Sequence, residues 1–174
     1  MSKQTIFIIS GEQGAGKTTR LKEVLSVLQR KGVSVAGFVA EGSWENKKRN
    51  AFTLVNIQSG ESIPLCSNKL NDSWIQEGRF FFNPNAISRA EKWLLEGVSA
   101  HANYFAIDEI GLFELNGKIW HSAFSKLLKQ DDRAIIITVR DRFLERVIEK
   151  YNLKKVEIFS VNTAAFIIAD KLLK

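Results

Sequence analysis

Residues 5–19 read TIFIISGEQGAGKTT, and they constrain this chain more than any other stretch. A short, apolar, β-branched run that stops at glycine is the pattern of a buried strand. Gly11-x-x-x-x-Gly16-Lys17-Thr18 then matches the phosphate-loop pattern in full. The following RLKEVLSVLQ sets Leu21, Val24, Leu25 and Leu28 at helical spacing, and Lys31-Gly32 closes that helix with a basic last turn and a C′ glycine. Glycines let successive backbone N–H groups curl toward phosphate oxygens, and the helix adds the positive end of its dipole. Gly11, Glu12, Gln13, Gly14, Ala15, Gly16, Lys17, Thr18 and Thr19 are therefore the expected nucleotide-binding set. Lys17 is expected to reach the β- and γ-phosphates of a triphosphate such as ATP or GTP, and the Thr18 hydroxyl to ligate Mg²⁺.

A phosphate loop needs an acid to complete the magnesium shell, and YFAIDEIG (104–111) supplies one at the end of an apolar strand. Asp108 is expected to hold the metal through water, and Glu109 to orient and deprotonate an attacking water. Adjacent side chains on a strand point to opposite faces, so the two acids converge only if the strand has already ended there. Acids at a strand end can instead cap a helix or face solvent, but this pair follows the ligand-binding strand edge of the fold. A glutamate beside the metal acid favours hydrolysis over switch-type GTPases, which use a glutamine elsewhere. No guanine-reading N-K-x-D is present: NKLN at 68–71 lacks the aspartate, and TVRD at 138–141 has valine in place of lysine.

At 174 residues, with 45% hydrophobic and 25% charged residues, one domain spanning 1–174 is expected. No apolar stretch approaches the ~20 residues of a membrane span, so no membrane partner is expected. Cys66 is the only cysteine, which excludes an intramolecular disulfide and makes a cytoplasmic setting the default. His101 and His121 have no second cysteine to form a zinc site with. The net charge of +6 suits a protein whose ligand is a polyanionic nucleotide. Nucleic acid is not expected, because no arginine-rich arm or low-complexity tail appears.

Strands and helices alternate along the rest of the chain. VSVAGFVA (33–40) reads as a strand, and polar EGSWENKKRN separates it from AFTLVNI (51–57). QSGE (58–61) turns into SIPLC, and a four-residue turn is too short for a parallel crossover. Residues 67–79 read as a polar loop, and Asn83-Pro84 as an N-cap followed by proline at N1. Further helices are marked by Ile87, Ala90, Leu94 and Val98, by Trp120 to Leu128, by Leu144 to Tyr151 and by 163–173. RAIIITV (133–139) and VEIFSV are the remaining strands. The expected fold is an α/β sandwich around a mostly parallel central sheet, with an antiparallel extension from residues 33–66.

In these motifs the chain resembles a known family, the small nucleoside-triphosphatases of the thermophile type, which have a human cancer-related relative. The carrying segments are GEQGAGKTT, VAGF (35–38), Lys48-Arg49 followed by Phe52, GRFFF (78–82) and above all IDEIGLFEL (107–115). They stand in order over roughly residues 4–160. Two departures are visible. Ala51 stands where the family has a glycine, and SVNTAA (160–165) where it commonly has T-x-ENR. The resemblance implies a P-loop NTPase (RecA-like) core that hydrolyses ATP, GTP and other nucleoside triphosphates to diphosphates with Mg²⁺.

Glu114 matches the family acid, and is open to a role near the metal or in a loop salt bridge. Arg140 and Arg142 follow a buried strand at the ligand edge; one of them acting as an arginine finger and both being solvated are equally open. Trp44 and Phe52 could stack on a base or belong to the core. Two other function classes fit the motifs. One is a small-molecule or nucleoside kinase using ATP, with residues 42–50 and 67–79 as acceptor site and lid. The other is a nucleotide-dependent regulatory or binding protein.

Overall fold

The computed structural model of the protein describes residues 4–174. Strand β1 (Ile6–Gly11) leads through the glycine loop into helix α1 (Lys17–Arg30). β2 (Val35–Glu45), β3 (Lys48–Asn56), β4 (Ser62–Ser67), β5 (Ile75–Glu77) and β6 (Phe80–Phe82) follow in succession. Then come α2 (Pro84–Ser99), β7 (Tyr104–Ile107), α3 (Leu112–Leu115), α4 (His121–Gln130) and β8 (Ile135–Arg140). A 3-10 turn at Asp141–Phe143 joins β8 to α5 (Leu144–Lys150), and β9 (Val156–Ser160) and α6 (Ala165–Leu172) follow.

The strands form one sheet in the order β5-β6-β4-β3-β2-β7-β8-β1-β9. From β2 to β9 the neighbours are parallel, so their C-terminal ends share one edge. Helices cover both faces of this part, which is why its strands are apolar without alternation. In β1, Phe7 and Ile9 pack with Leu21, Val24 and Leu28 of α1 and with Ile168 and Leu172 of α6. Ile6 and Ile8 point the other way, into a core shared with Trp93 of α2 and Phe124 of α4. One strand, β8, lies between β1 and β7, so the glycine loop and the acids sit on next-nearest strands.

Two glycines permit close approaches in this packing. Gly37 of β2 has φ +123°, and a Cβ there would lie 2.0 Å from the carbonyl oxygen of Ala106 on β7. Gly97 lets α2 settle on the sheet, since a Cβ would meet that of Ala36 at 2.2 Å. The start of α2 is as the sequence predicts: the Asn83 side chain accepts from the Asn85 N–H at 3.0 Å, with Pro84 at the first turn.

The antiparallel extension is present and reaches further than residue 66. β4 pairs with β6 and β6 with β5, so the stretch 67–79 contains a strand as well as a loop. β5 has three residues, two of them exposed, and carries no alternating apolar pattern that would mark it; its partner Phe80–Phe82 defines it. The polar stretch 41–50 is also no separator. β2 and β3 continue through it as a hairpin that turns at Asn46 and Lys47, with φ of 48° and 61°. Two positive-φ residues are what a two-residue hairpin requires. The segment is polar because Ser43 to Lys48 are exposed.

Replacing Gly37 by alanine forces a Cβ into the β7 backbone at an unfavourable φ. Urea unfolding of Gly37→Ala should show a loss of roughly 3 kcal/mol. Unchanged stability would contradict the close β2–β7 approach.

Candidate active site

Because the parallel strands end on one edge, the glycine loop after β1, the acids after β7 and the arginines at the end of β8 come together. They line a cavity of about 580 Å³. Gln13, Gly14, Gly16, Lys17, Thr18 and Thr19 form its loop wall, with Asp108, Glu109, Arg140 and Arg142 opposite or beside them. Gly14 and Gly16 have φ of 74° and 92°, the left-handed backbone that curls the loop. Three of the expected loop residues do not line the cavity. Gly11 is buried at the end of β1, where a Cβ would meet Val161 Cγ1 at 2.7 Å. Glu12 contributes its carbonyl, which accepts from Lys17 Nζ at 2.8 Å and from the Ala15 N–H at 3.2 Å. Ala15 is exposed.

Asp108 is buried and accepts three hydrogen bonds. Thr18 Oγ1 donates to Oδ2 at 2.7 Å, Thr138 Oγ1 donates to Oδ1 at 2.6 Å, and the Ala40 N–H donates to Oδ2 at 3.2 Å. Burial raises its pKa, and the bonds from Thr138 and Thr18 oppose that rise. Thr138 was not among the sequence candidates. Its signal was there: it is the one hydroxyl in the fully buried run Ile135–Val139.

β7 stops at Ile107, so Asp108 and Glu109 lie past the pleat and both line the cavity. The peptide bond between them is cis. Glu109 Oε1 is 3.1 Å from Arg140 Nη2, and Arg140 Nη1 donates to Gln13 Oε1 at 3.3 Å. Crowding by protein raises the Glu109 pKa, with the Arg140 charge the largest opposing influence. Lys17 is pulled down by burial, and Glu109 is the strongest of the charges that resist this. Arg140 Nε is buried and has no hydrogen-bond partner among the described residues. Arg142 is exposed, its guanidinium 4.6 Å over the Phe143 ring. The Ser10 hydroxyl donates to the Asp141 carboxylate, which pins the turn after β8 to β1.

Glu114 takes neither of its two expected roles. It is buried and caps backbone, with Oε2 accepting from the Gly111 N–H at 2.8 Å and Oε1 from the Trp120 N–H at 3.2 Å. Among the described residues it makes no salt bridge, and burial pushes its pKa up to about 7. Trp44 is on the cavity rim, 60% exposed, with the Arg49 guanidinium 4.2 Å over its ring. Phe52 is half-buried in the wall, edge-on to Phe80 at 5.8 Å.

The Thr18 hydroxyl and Asp108 carboxylate form a hard-oxygen pair, the donor type that Mg²⁺ takes. No group of three or more His, Cys, Asp or Glu that could hold a metal occurs among the described residues. No helix among the described residues is long and apolar enough to cross a membrane.

A glycine loop at the head of α1, an acid hydrogen-bonded to its threonine and an intervening strand define a P-loop nucleotide-binding α/β sandwich. A family model described as NTPase matches residues 6–165, and the chain belongs to that family. The chain is 29% identical to the nucleoside-triphosphatase THEP1 of Thermotoga petrophila over 143 residues, 80% of this chain and 76% of that one. It is 28% identical to the THEP1 of Caldivirga maquilingensis over 153 residues, covering 86% and 82%. The solution structure of a human cancer-related nucleoside triphosphatase superposes with a TM-score of 0.72 at 26% identity, over 98% of this chain and 96% of that one. The crystal structure of THEP1 from Aquifex aeolicus shares the fold, with a TM-score of 0.72 at 20% identity over 97% and 96%.

The Glu114 environment has a pH signature. Its folded pKa of about 7 lies above the ordinary 4.5, so between these values the folded state holds a proton that the unfolded state has lost. Its contribution to stability is full below the ordinary value, falls as pH rises to about 7, and is flat above. Relative to Glu114→Gln, which does not titrate, wild type should lose on the order of 3 kcal/mol across that window in urea unfolding. Parallel pH profiles would contradict the buried-acid assignment.

Proposed function

We propose that this member of the NTPase family hydrolyses the β–γ phosphoanhydride of nucleoside triphosphates, ATP and GTP among them, with Mg²⁺ and little choice of base. The observation that carries this reading is the division between two adjacent acids. Asp108 is tied to Thr18 at 2.7 Å, while Glu109 stands in the cavity beside Arg140 and reaches solvent. The loop N–H groups and Lys17 bind the phosphates, and Lys17 must exchange its bond to the Glu12 carbonyl for one to a phosphate oxygen. Thr18 and Asp108 would hold Mg²⁺, which when bound supplies positive charge against the phosphate oxygens.

Glu109 accepts a proton from the attacking water as the water oxygen bonds to the γ-phosphorus. The bond from that phosphorus to the bridging oxygen breaks, and the diphosphate leaves with the electron pair. Arg140 positions Glu109 through their ion pair. Arg140 lines the cavity between Gln13 of the loop and Glu109, so Arg140 rather than the exposed Arg142 is the better arginine to stabilise developing charge. Residues 1–174 act as one domain in this reading. We place the activity in the cytoplasm, since a chain with one cysteine needs no oxidising compartment.

The test is free phosphate released from a panel of nucleoside triphosphates with no acceptor present. Hydrolysis should be seen for every base, with rates within about tenfold, because the cradle reads phosphates that all of them share. Lys17→Ala should lose at least ~100-fold, since its charge is the loop's only cation. Release that requires an added acceptor would make the protein a kinase, and wild-type turnover in Lys17→Ala would remove the phosphate-cradle reading.

A further inference from the structure

The cavity does not end where a triphosphate would. Lys17 serves the β- and γ-phosphates, and the base hangs from the α-phosphate at the opposite end of the chain. Past Lys17, Glu109 and Arg140 the cavity continues under the antiparallel extension, to β3 and β6. β3 lies four strands from β1, about 19 Å across the sheet at ~4.8 Å per strand. This outer part therefore lies beyond the γ-phosphate, away from the nucleotide's own base.

Its walls pair flat apolar surfaces with positive charge. Arg49 lies 4.2 Å over the Trp44 ring, and Arg79 lies 4.5 Å over the Phe80 ring. Arg142 covers Phe143 at 4.6 Å, and Phe52 meets Phe80 edge-on. Lys47 and Lys48 complete the rim from the β2–β3 hairpin. Arg49, Arg79, Arg142, Lys47 and Lys48 make no salt bridge among the described residues, in contrast to Arg140, which Glu109 neutralises. The acids that face the cavity are Asp108, Glu109 and Glu114, each already held by hydrogen bonds or an ion pair. Cations left unpaired beside aromatic rings recognise a planar ring system that carries an anion.

We propose that the outer cavity is a second ligand site, for a small aromatic molecule bearing a phosphate, of the nucleoside monophosphate class. The site rests on the reading of the glycine loop as the triphosphate site, because that reading fixes which end of the cavity faces the γ-phosphate. Arg79, Lys48 and Arg142 meet the phosphate, and Phe52, Phe80 and the Arg49–Trp44 stack enclose the ring.

Calorimetric titration of AMP into protein saturated with Mg²⁺ and a non-hydrolysable ATP analogue tests this. One equivalent of AMP should bind with the analogue in place, and Arg79→Glu and Lys48→Glu should each weaken that binding at least ~10-fold. The affinity of the analogue, titrated separately into each variant without AMP, separates loss of this site from loss of the fold. AMP binding to Lys17→Ala protein without the analogue should match wild type, which keeps the outcome independent of the triphosphate reading. Displacement of AMP by the analogue, loss of AMP binding in Lys17→Ala, or no binding to wild type at millimolar AMP would each overturn the second site.

Discussion

The carboxylate of Asp108 is the point on which the rest of this structure depends. It receives Thr18 from α1, Thr138 from β8 and the Ala40 N–H from β2, and it is itself anchored at the end of β7. Four segments that are distant in sequence are thus held to one side chain. A buried charge costs several kcal/mol unless it is hydrogen-bonded, and bonds to a charged acceptor each contribute about 1.5–3 kcal/mol. Three donors offset the burial only if the strand order is the observed one. With β8 between β1 and β7, Thr138 occupies the gap between the glycine loop and the acid. The same order leaves Glu109, one residue on, outside this network and against Arg140.

That separation turns two neighbouring carboxylates into different chemical groups. Asp108 has no exposed surface to speak of and its oxygens are committed to protein donors. Glu109 keeps 33% of its side chain exposed and has one ionic partner, which Gln13 of the glycine loop steadies from the other side. Binding a triphosphate on the loop would therefore reach Glu109 through Gln13 and Arg140. The antiparallel extension adds the outer half of the cavity without touching this arrangement, since its strands join the sheet only through β2.

The parts of the fold with local signatures were legible in the sequence. TIFIIS and RAIIITV are strands buried on both faces, and GEQGAGKTT, Asn83-Pro84 and Lys31-Gly32 mark the loop, a helix start and a helix end. What was not legible depends on partners distant in the chain. β5 exists because Phe80–Phe82 offers it an edge, and the 41–50 stretch is strand because Asn46 and Lys47 can turn it tightly. Glu114 reads as open to a role near the metal or in a loop salt bridge because it matches the acid of the family's motif, yet α3 and the turn before α4 take both its oxygens. Thr138 was hidden among isoleucines, although a hydroxyl on a strand with no solvent has to find an acceptor.

The division of labour proposed above has Asp108 hold the metal side of the site while Glu109 activates water. It is tested most directly by measuring Mg-ATP binding and single-turnover hydrolysis on the same preparation of Glu109→Gln. The substitution keeps size and hydrogen-bonding capacity and removes the base. Binding should stay within about threefold of wild type and hydrolysis should slow at least ~100-fold, the scale of a lost general base. Hydrolysis at the wild-type rate, or a loss of binding as large as that of Asp108→Asn, would contradict it.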